Sequence, residues 1–108
     1  MFEEFSSAYY LGRMYVEPHD TERPVMQNED FEAVQRDVYG GERDVVMKID
    51  RSHLVVDGDG SVPRGTLGVP RSYLGSLNVR NPPSLKEVLL AKPKHAARIL
   101  GLTGDRGG

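Results

Sequence analysis

Pro93 interrupts the only dense aliphatic stretch in the chain, and this limits what the C-terminal third can become. The stretch runs from Pro82 to Gly101. Leu85, Val88 and Leu89 recur at i, i+3 and i+4, and so do Ala96, Ile99 and Leu100, which gives each half a helical stripe. Ser84 followed by Glu87 matches the S-x-x-E capping box, in which the hydroxyl takes a first-turn N–H and the carboxylate reaches back. Pro93 has no N–H to give the Leu89 carbonyl, and its ring crowds that carbonyl. The expectation is a helix kinked or restarted at the proline, in pieces 84–92 and 93–100, with Gly101 at the left-handed stop. Leu90 and Ala91 would widen the apolar face, while Lys86, Lys92, Lys94, His95 and Arg98 would lie outside it.

The 108 residues suit one core, expected over 1–102, with a glycine-rich flexible tail over 103–108. The chain has no cysteine, which excludes disulfides, thiolate catalysis and cysteine-based zinc sites. Glu3 and Glu4 stand where a leader would carry positive charge, and no apolar run is long enough to cross a bilayer. A cytoplasmic location away from membranes is expected. Net charge is −2 but is unevenly spread: residues 1–50 hold 5 Lys+Arg against 12 Asp+Glu, and residues 51–108 hold 9 against 4. Either the halves face each other or the basic half meets a partner.

Earlier in the chain, Tyr9 to Val16 reads as an aromatic-rich strand whose Gly12 suits a bulge. Phe2 and Phe5 would tuck onto the body. A polar loop bounded by Pro18 and Pro24 leads to a short strand at Val25 and Met26, returning antiparallel. Asn28 is placed as N-cap, with Glu29 and Asp30 in the first turn. Phe31, Val34 and Val38 then define a helix over about 29–39, stopped by Gly40-Gly41. Val45, Met47 and Ile49 alternate, Asp50-Arg51-Ser52 turns, and His53 to Val56 returns as a hairpin. An echo, V-P-R-x-x-L-G, occupies 62–68 and 69–75, too few copies for a solenoid. A strand is expected at Thr66–Val69, a helical turn after Pro70, and a last short strand over Leu77–Val79.

Met1-Phe-Glu-Glu-Phe-Ser-Ser7 with Tyr9-Tyr-Leu-Gly-Arg13 resembles a family of short haloarchaeal proteins of unknown function. Tyr15-Val-Glu-Pro-His-Asp20, Arg80-Asn-Pro-Pro83 and Glu87-Val-Leu-Leu-Ala-Lys92 extend that resemblance over nearly the whole chain. It implies a cytoplasm of molar salt and supplies no catalytic residue.

Candidate chemistry is sparse. His19, His53 and His95 share no metal-ligand spacing, and His19 with Glu17 and Asp20 reads as a solvated loop before it reads as an ion site. Ser52 and His53 imitate a nucleophile pair, but neighbouring strand residues point to opposite faces. Asp57-Gly-Asp-Gly60 fails as a calcium loop, having Val62 at the sixth position and Gly68 at the twelfth. G-x-G-x-x-G also fails, because Pro63 stands at its third glycine. Residues 80–98 carry five Lys+Arg against one Glu.

The fold expected is α+β: a small, mainly antiparallel sheet of five or six strands, open or barrel-like, one internal helix and a proline-kinked C-terminal helix. The function expected is a non-enzymatic accessory module that engages a protein partner through the C-terminal segment. Arg80, Lys86, Leu90, Lys92, Lys94, His95 and Arg98 are the partner-binding candidates, and Arg64 and Arg71 the anion-binding ones. No cofactor or metal is expected. An RNA- or ribosome-associated protein using the basic face of 80–98 is the alternative, and a small metabolite enzyme is the third reading. At about 1 M salt the Debye length is about 3 Å, so a basic patch there must act through close, fitted contacts.

Overall fold

β-Strand alternation, not helical periodicity, governs the stretch before Pro93. In the computed structural model, which describes residues 3–4 and 7–102, Ser84–Ala91 is a strand and Pro93–Leu102 a helix. The described residues form seven strands: β1 (Glu3–Glu4), β2 (Ala8–Pro18), β3 (Val25–Gln27), β4 (Val45–Ile49), β5 (Ser52–Asp59), β6 (Thr66–Val69) and β7 (Ser84–Ala91). The helices are α1 (Asn28–Asp37) and α2 (Pro93–Leu102). The strands run in the order β1-β2-β6-β3-β5-β4-β7, and β7 also pairs with β2, so β2 to β7 close into a barrel. The α+β class with a barrel-like sheet is therefore what the chain forms.

β7 pairs antiparallel with β2 from Val16↔Ser84 to Ala8↔Ala91, and with β4 at Met47↔Leu90 and Lys48↔Leu89. One register shift occurs on β2 between Tyr10 and Gly12, where Gly12 has φ +139° and Leu11 is left unpaired. Such a bulge bends its strand and sharpens the twist that closure needs. The helix expected over 84–92 is thus replaced by a strand. Two long strand edges, on β2 and β4, would lack backbone partners without it, and exposed edges invite association with other chains. The capping box is absent: Ser84 Oγ donates to the Asn81 carbonyl at 3.4 Å, and Glu87 faces Arg13 at 4.0 Å. Pro93 opens α2, where its missing N–H costs no hydrogen bond.

The barrel interior follows from register, because residues opposite one another share a face. Val16 meets Leu67, Leu67 meets Met26, Val45 meets Val56, and Met47 meets both Leu54 and Leu90. All of these are buried. α1 lies against β5 and β3, and its Val34 shares an apolar recess with Leu11, Met14 and Met26. Gly58 allows this approach: a Cβ there would sit 2.5 Å from Asn28 Oδ1 and 2.9 Å from the Phe31 ring. Gln27, one residue ahead of the expected cap, closes the N-terminus of α1, with Oε1 accepting from the Asp30 N–H at 3.0 Å.

Two strand expectations are corrected. β3 does not return against β2; it pairs parallel with β5 and antiparallel with β6, because β6 and β7 already occupy the edges of β2. Leu77–Val79 is no strand. Its amides bond locally to the carbonyls of Tyr73, Gly75 and Leu74, while Leu77 and Val79 stay buried. The turn after Pro70 forms as a 3-10 helix, Arg71–Tyr73. Phe2, Phe5 and the tail over 103–108 lie outside the described residues.

Tyr39 pins the link between α1 and β4 to the end of β7. Its hydroxyl donates to the Ala91 carbonyl at 2.6 Å, accepts from the Val46 N–H at 3.2 Å, and lies 3.3 Å from the Val46 carbonyl. Burial raises its ionisation above the ordinary tyrosine value, against a smaller opposing effect of the Val46 contact.

Two predictions follow from this architecture. Leu90→Ala is expected to cost about 2–5 kcal/mol, as for a fully buried leucine, whereas Leu85→Ala should stay within about 0.5 kcal/mol. Equal losses in urea melts would contradict the alternation. Tyr39→Phe leaves buried backbone groups without a partner and should cost about 1–3 kcal/mol. Because folding raises the pKa, the hydroxyl contributes stability fully below the unfolded value near 10, and the contribution fades as pH rises through the folded value. Alkaline destabilisation that is blunted in Tyr39→Phe, read by thermal melts, checks this.

Candidate partner-binding surface

Strand alternation sends Leu85, Glu87 and Leu89 to the outside of the barrel, opposite Tyr15, Arg13 and Tyr10 of β2. Tyr15 and Leu85 are 49% and 46% exposed, the large hydrophobic side chains most open to solvent among the described residues. Arg13 and Glu87 stand next to them at 4.0 Å, and beyond these Tyr10 and Leu89 are half-buried. The wall continues across β4 and β5, since Leu89 is opposite Lys48 and Lys48 opposite His53. From Leu85 to Ala91 it extends about 20 Å at the usual strand rise.

Beyond Ala91 the character changes to cationic. Lys92, Lys94, His95 and Arg98 line, with Ser7, a half-open recess of about 250 Å³. The Lys92 ammonium rides 5.3 Å above the centre of the Tyr9 ring. His95 approaches His53 edge-on, with ring centres 5.9 Å apart. Burial, then Lys48, then His95 lower the pKa of His53 below its ordinary value.

The structure divides the candidates read from sequence. Lys92, Lys94, His95 and Arg98 come together at the head of α2. Leu90 does not join them, because as a strand residue it turns into the barrel and is fully buried. Lys86 points to the inner side, like Met14 opposite it, and its ammonium reaches Asp50 at 3.6 Å. Arg80 is exposed on the loop before β7, apart from the recess. Arg64 is engaged by Glu29 at 2.8 Å and Asp30 at 3.6 Å, so part of the charge asymmetry is met within the fold. Arg71 lines a cleft shared with Pro18, His19, Asp20, Thr21 and Pro70, whose mixed charge does not favour an anion. Ser52 and His53 do lie on opposite faces, Ser52 opposite Ile49 and His53 opposite Lys48.

Tyr15, Leu85, Ser7 and the His53–His95 contact were not legible as site features. An alternating reading of 84–91 would have turned Leu85 outward, but only the closed sheet sets Tyr15 opposite it. Among the described residues no group of three or more His, Cys, Asp and Glu is arranged to hold a metal ion. No described helix is long and apolar enough to cross a membrane.

His19 rests on the outer side of β6, where Gly68 leaves room: a Cβ there would lie 2.5 Å from the ring. The imidazole Nε2 contacts Glu17 Oε2 at 3.0 Å. Gly68→Ala should therefore displace the ring and cost about 1–3 kcal/mol, the usual scale of overpacking. Unchanged His19 imidazole resonances together with unchanged stability would contradict this close packing.

No curated protein matches the chain. A family model described as a family of unknown function (DUF5802) matches residues 1–106, so the chain belongs to that family.

Proposed function

We propose that this protein is a non-enzymatic accessory module that docks a protein partner on the outer wall of β2 and β7 and the cationic head of α2. The observation that carries the reading is the Tyr15–Leu85 pair, set opposite one another and about half exposed. Apolar side chains in the open, followed by the Arg13–Glu87 pair, the Tyr10–Leu89 pair and a cationic end, give the mixture of aromatic, aliphatic and arginine contacts found in protein interfaces. The partner is one with an apolar patch beside an acidic stripe. Arg23 and Arg64 pair with this chain's own carboxylates, whereas Lys94 and Arg98, like Arg43, Lys48, Arg51, Arg71 and Arg80, have no ion pair among the described residues, and they are the ones that adjoin the wall. In the cytoplasm of molar salt implied by the sequence resemblance, apolar burial holds where screened charge does not.

RNA is the second reading. It is favoured by Tyr9 under Lys92 at the head of α2 and by Tyr10 on the outer face of the same strand, aromatic groups next to cations as in single-strand readers.

The test is capture of partners by the full chain at native salt, repeated with variants. A protein partner that survives nuclease and high salt is expected to be lost with Leu85→Asp and Arg98→Glu and retained with Lys86→Ala. Steep release by salt, with log K falling about 0.7 per phosphate on a single strand, together with nuclease sensitivity, would replace this reading by RNA. Equal retention by Leu85→Asp would remove the wall from the interface.

A further inference from the structure

We infer that the recess at the head of α2 is a proton-linked binding site for a dianionic phosphate group, held by Lys94, His95 and Arg98 and modulated by the His53–His95 pair. The site uses the cationic head of α2 that the partner reading also invokes, but it concerns a small anion and needs no protein bound to the outer wall.

Lys94, His95 and Arg98 of α2 meet here with Lys92 of the link from β7 and with Ser7 of the segment ahead of β2. The recess, about 250 Å³ and half open, has room for a tetrahedral oxyanion and for a group attached to it that extends into solvent. Three donor types line it: ammonium, guanidinium and imidazole. The guanidinium fork suits two oxygens of a phosphate, and the ammonium adds a point charge. Lys94 and His95 lie in the first turn of α2, where the helix dipole is positive and no acidic residue is present, so that turn favours an anion. α1 follows the opposite rule, with Glu29 and Asp30 in its first turn.

The charges facing the histidine pair are chiefly positive. Lys48 stands opposite His53 on β4, Arg51 lies in the adjoining turn, and Lys92, Lys94 and Arg98 surround His95. The neighbouring carboxylates of Asp50 and Glu87 face Lys86 and Arg13. β1 carries Glu3 and Glu4, whose backbone lies opposite Tyr10 and Tyr9. Burial and the adjacent cations make a second imidazolium beside the first unfavourable, in line with the lowered pKa of His53. A bound dianion reverses this balance by stabilising the charged imidazoles. By linkage, proton uptake and anion binding then reinforce each other, so affinity rises as pH falls through the imidazole range.

Sulfate is the suitable first probe, because it stays dianionic while phosphate itself titrates. Calorimetric titration of the full chain at one ionic strength, in two buffers of different ionisation enthalpy, should show saturable binding with proton uptake. Affinity should rise about tenfold from about pH 8 to about pH 5.5, as expected when anion binding is linked to the uptake of one proton by an imidazole. His95→Gln should remove most of this dependence, Lys94→Gln with Arg98→Gln should weaken binding at both pH values, and Arg71→Gln should leave it unchanged. Inorganic phosphate and glycerol phosphate distinguish the source. Binding of both indicates a phosphate ester, and binding of inorganic phosphate alone indicates the free ion. Absence of saturable sulfate binding, failure of both phosphates to bind, an equal loss in Arg71→Gln, or a pH dependence unaltered in both His95→Gln and His53→Gln would overturn the inference. Circular dichroism of each variant separates loss of the site from loss of the fold. No partner enters the experiment, so its failure leaves the β2–β7 wall untouched.

Discussion

The double pairing of β7 is the constraint on which the rest of the structure depends. One strand of eight residues satisfies the open edge of β2 on one side and the edge of β4 on the other. Backbone groups withdrawn from water need partners, and a closed sheet supplies them without leaving an edge for another chain. Closure also sets the interior. Leu90 and Val88 complete the inner layer with Met47, Leu54 and Val16, and that layer is sealed only when β7 is in place. The Tyr39 hydroxyl then ties the outgoing end of β7 to β4.

Closure likewise decides which residues are free to act. The alternation that buries Leu90 exposes Leu85, and the hairpin turn that presents Asp50 takes Lys86 out of the basic face. Sequence proximity had joined Lys86, Leu90, Lys92 and Arg98 into one surface. In the fold these residues have three different settings: a pair with Asp50, the barrel interior, and the recess at the head of α2. The recess draws instead on Ser7, about ninety residues away in sequence, and on its contact with His53 of β5.

Local sequence signals match the elements formed where only one periodicity fits them. The β4–β5 hairpin has two short, β-branched-rich apolar runs and a turn at Asp50, which adopts φ +53°. Thr66–Val69 is bounded by glycine and proline, and α1 has acidic residues at its start and glycines after its end. The cap differed by one residue because the Gln27 side chain reaches the Asp30 amide that Asn28 was expected to serve. The segment 84–91 is ambiguous in sequence because Leu85, Val88 and Leu89 fit a helical stripe, while Ser84, Lys86, Val88 and Leu90 equally fit one face of a strand. One clue was available locally: the residue before a proline is turned away from the helical region, and Lys92 precedes Pro93.

The sequence by itself determined the α+β class, the hairpin, α1, the helix after Pro93 and the absence of any thiol chemistry, because each depends on neighbours in sequence or on composition. The tertiary structure alone decided the strand identity of 84–91, the partners of β3, the burial of Leu90 and the meeting of His53 with His95. Each of these depends on which distant backbone edge needed hydrogen bonds and which face was turned inward once the barrel closed. A segment that fits two periodicities adopts the one whose polar groups the rest of the chain can satisfy.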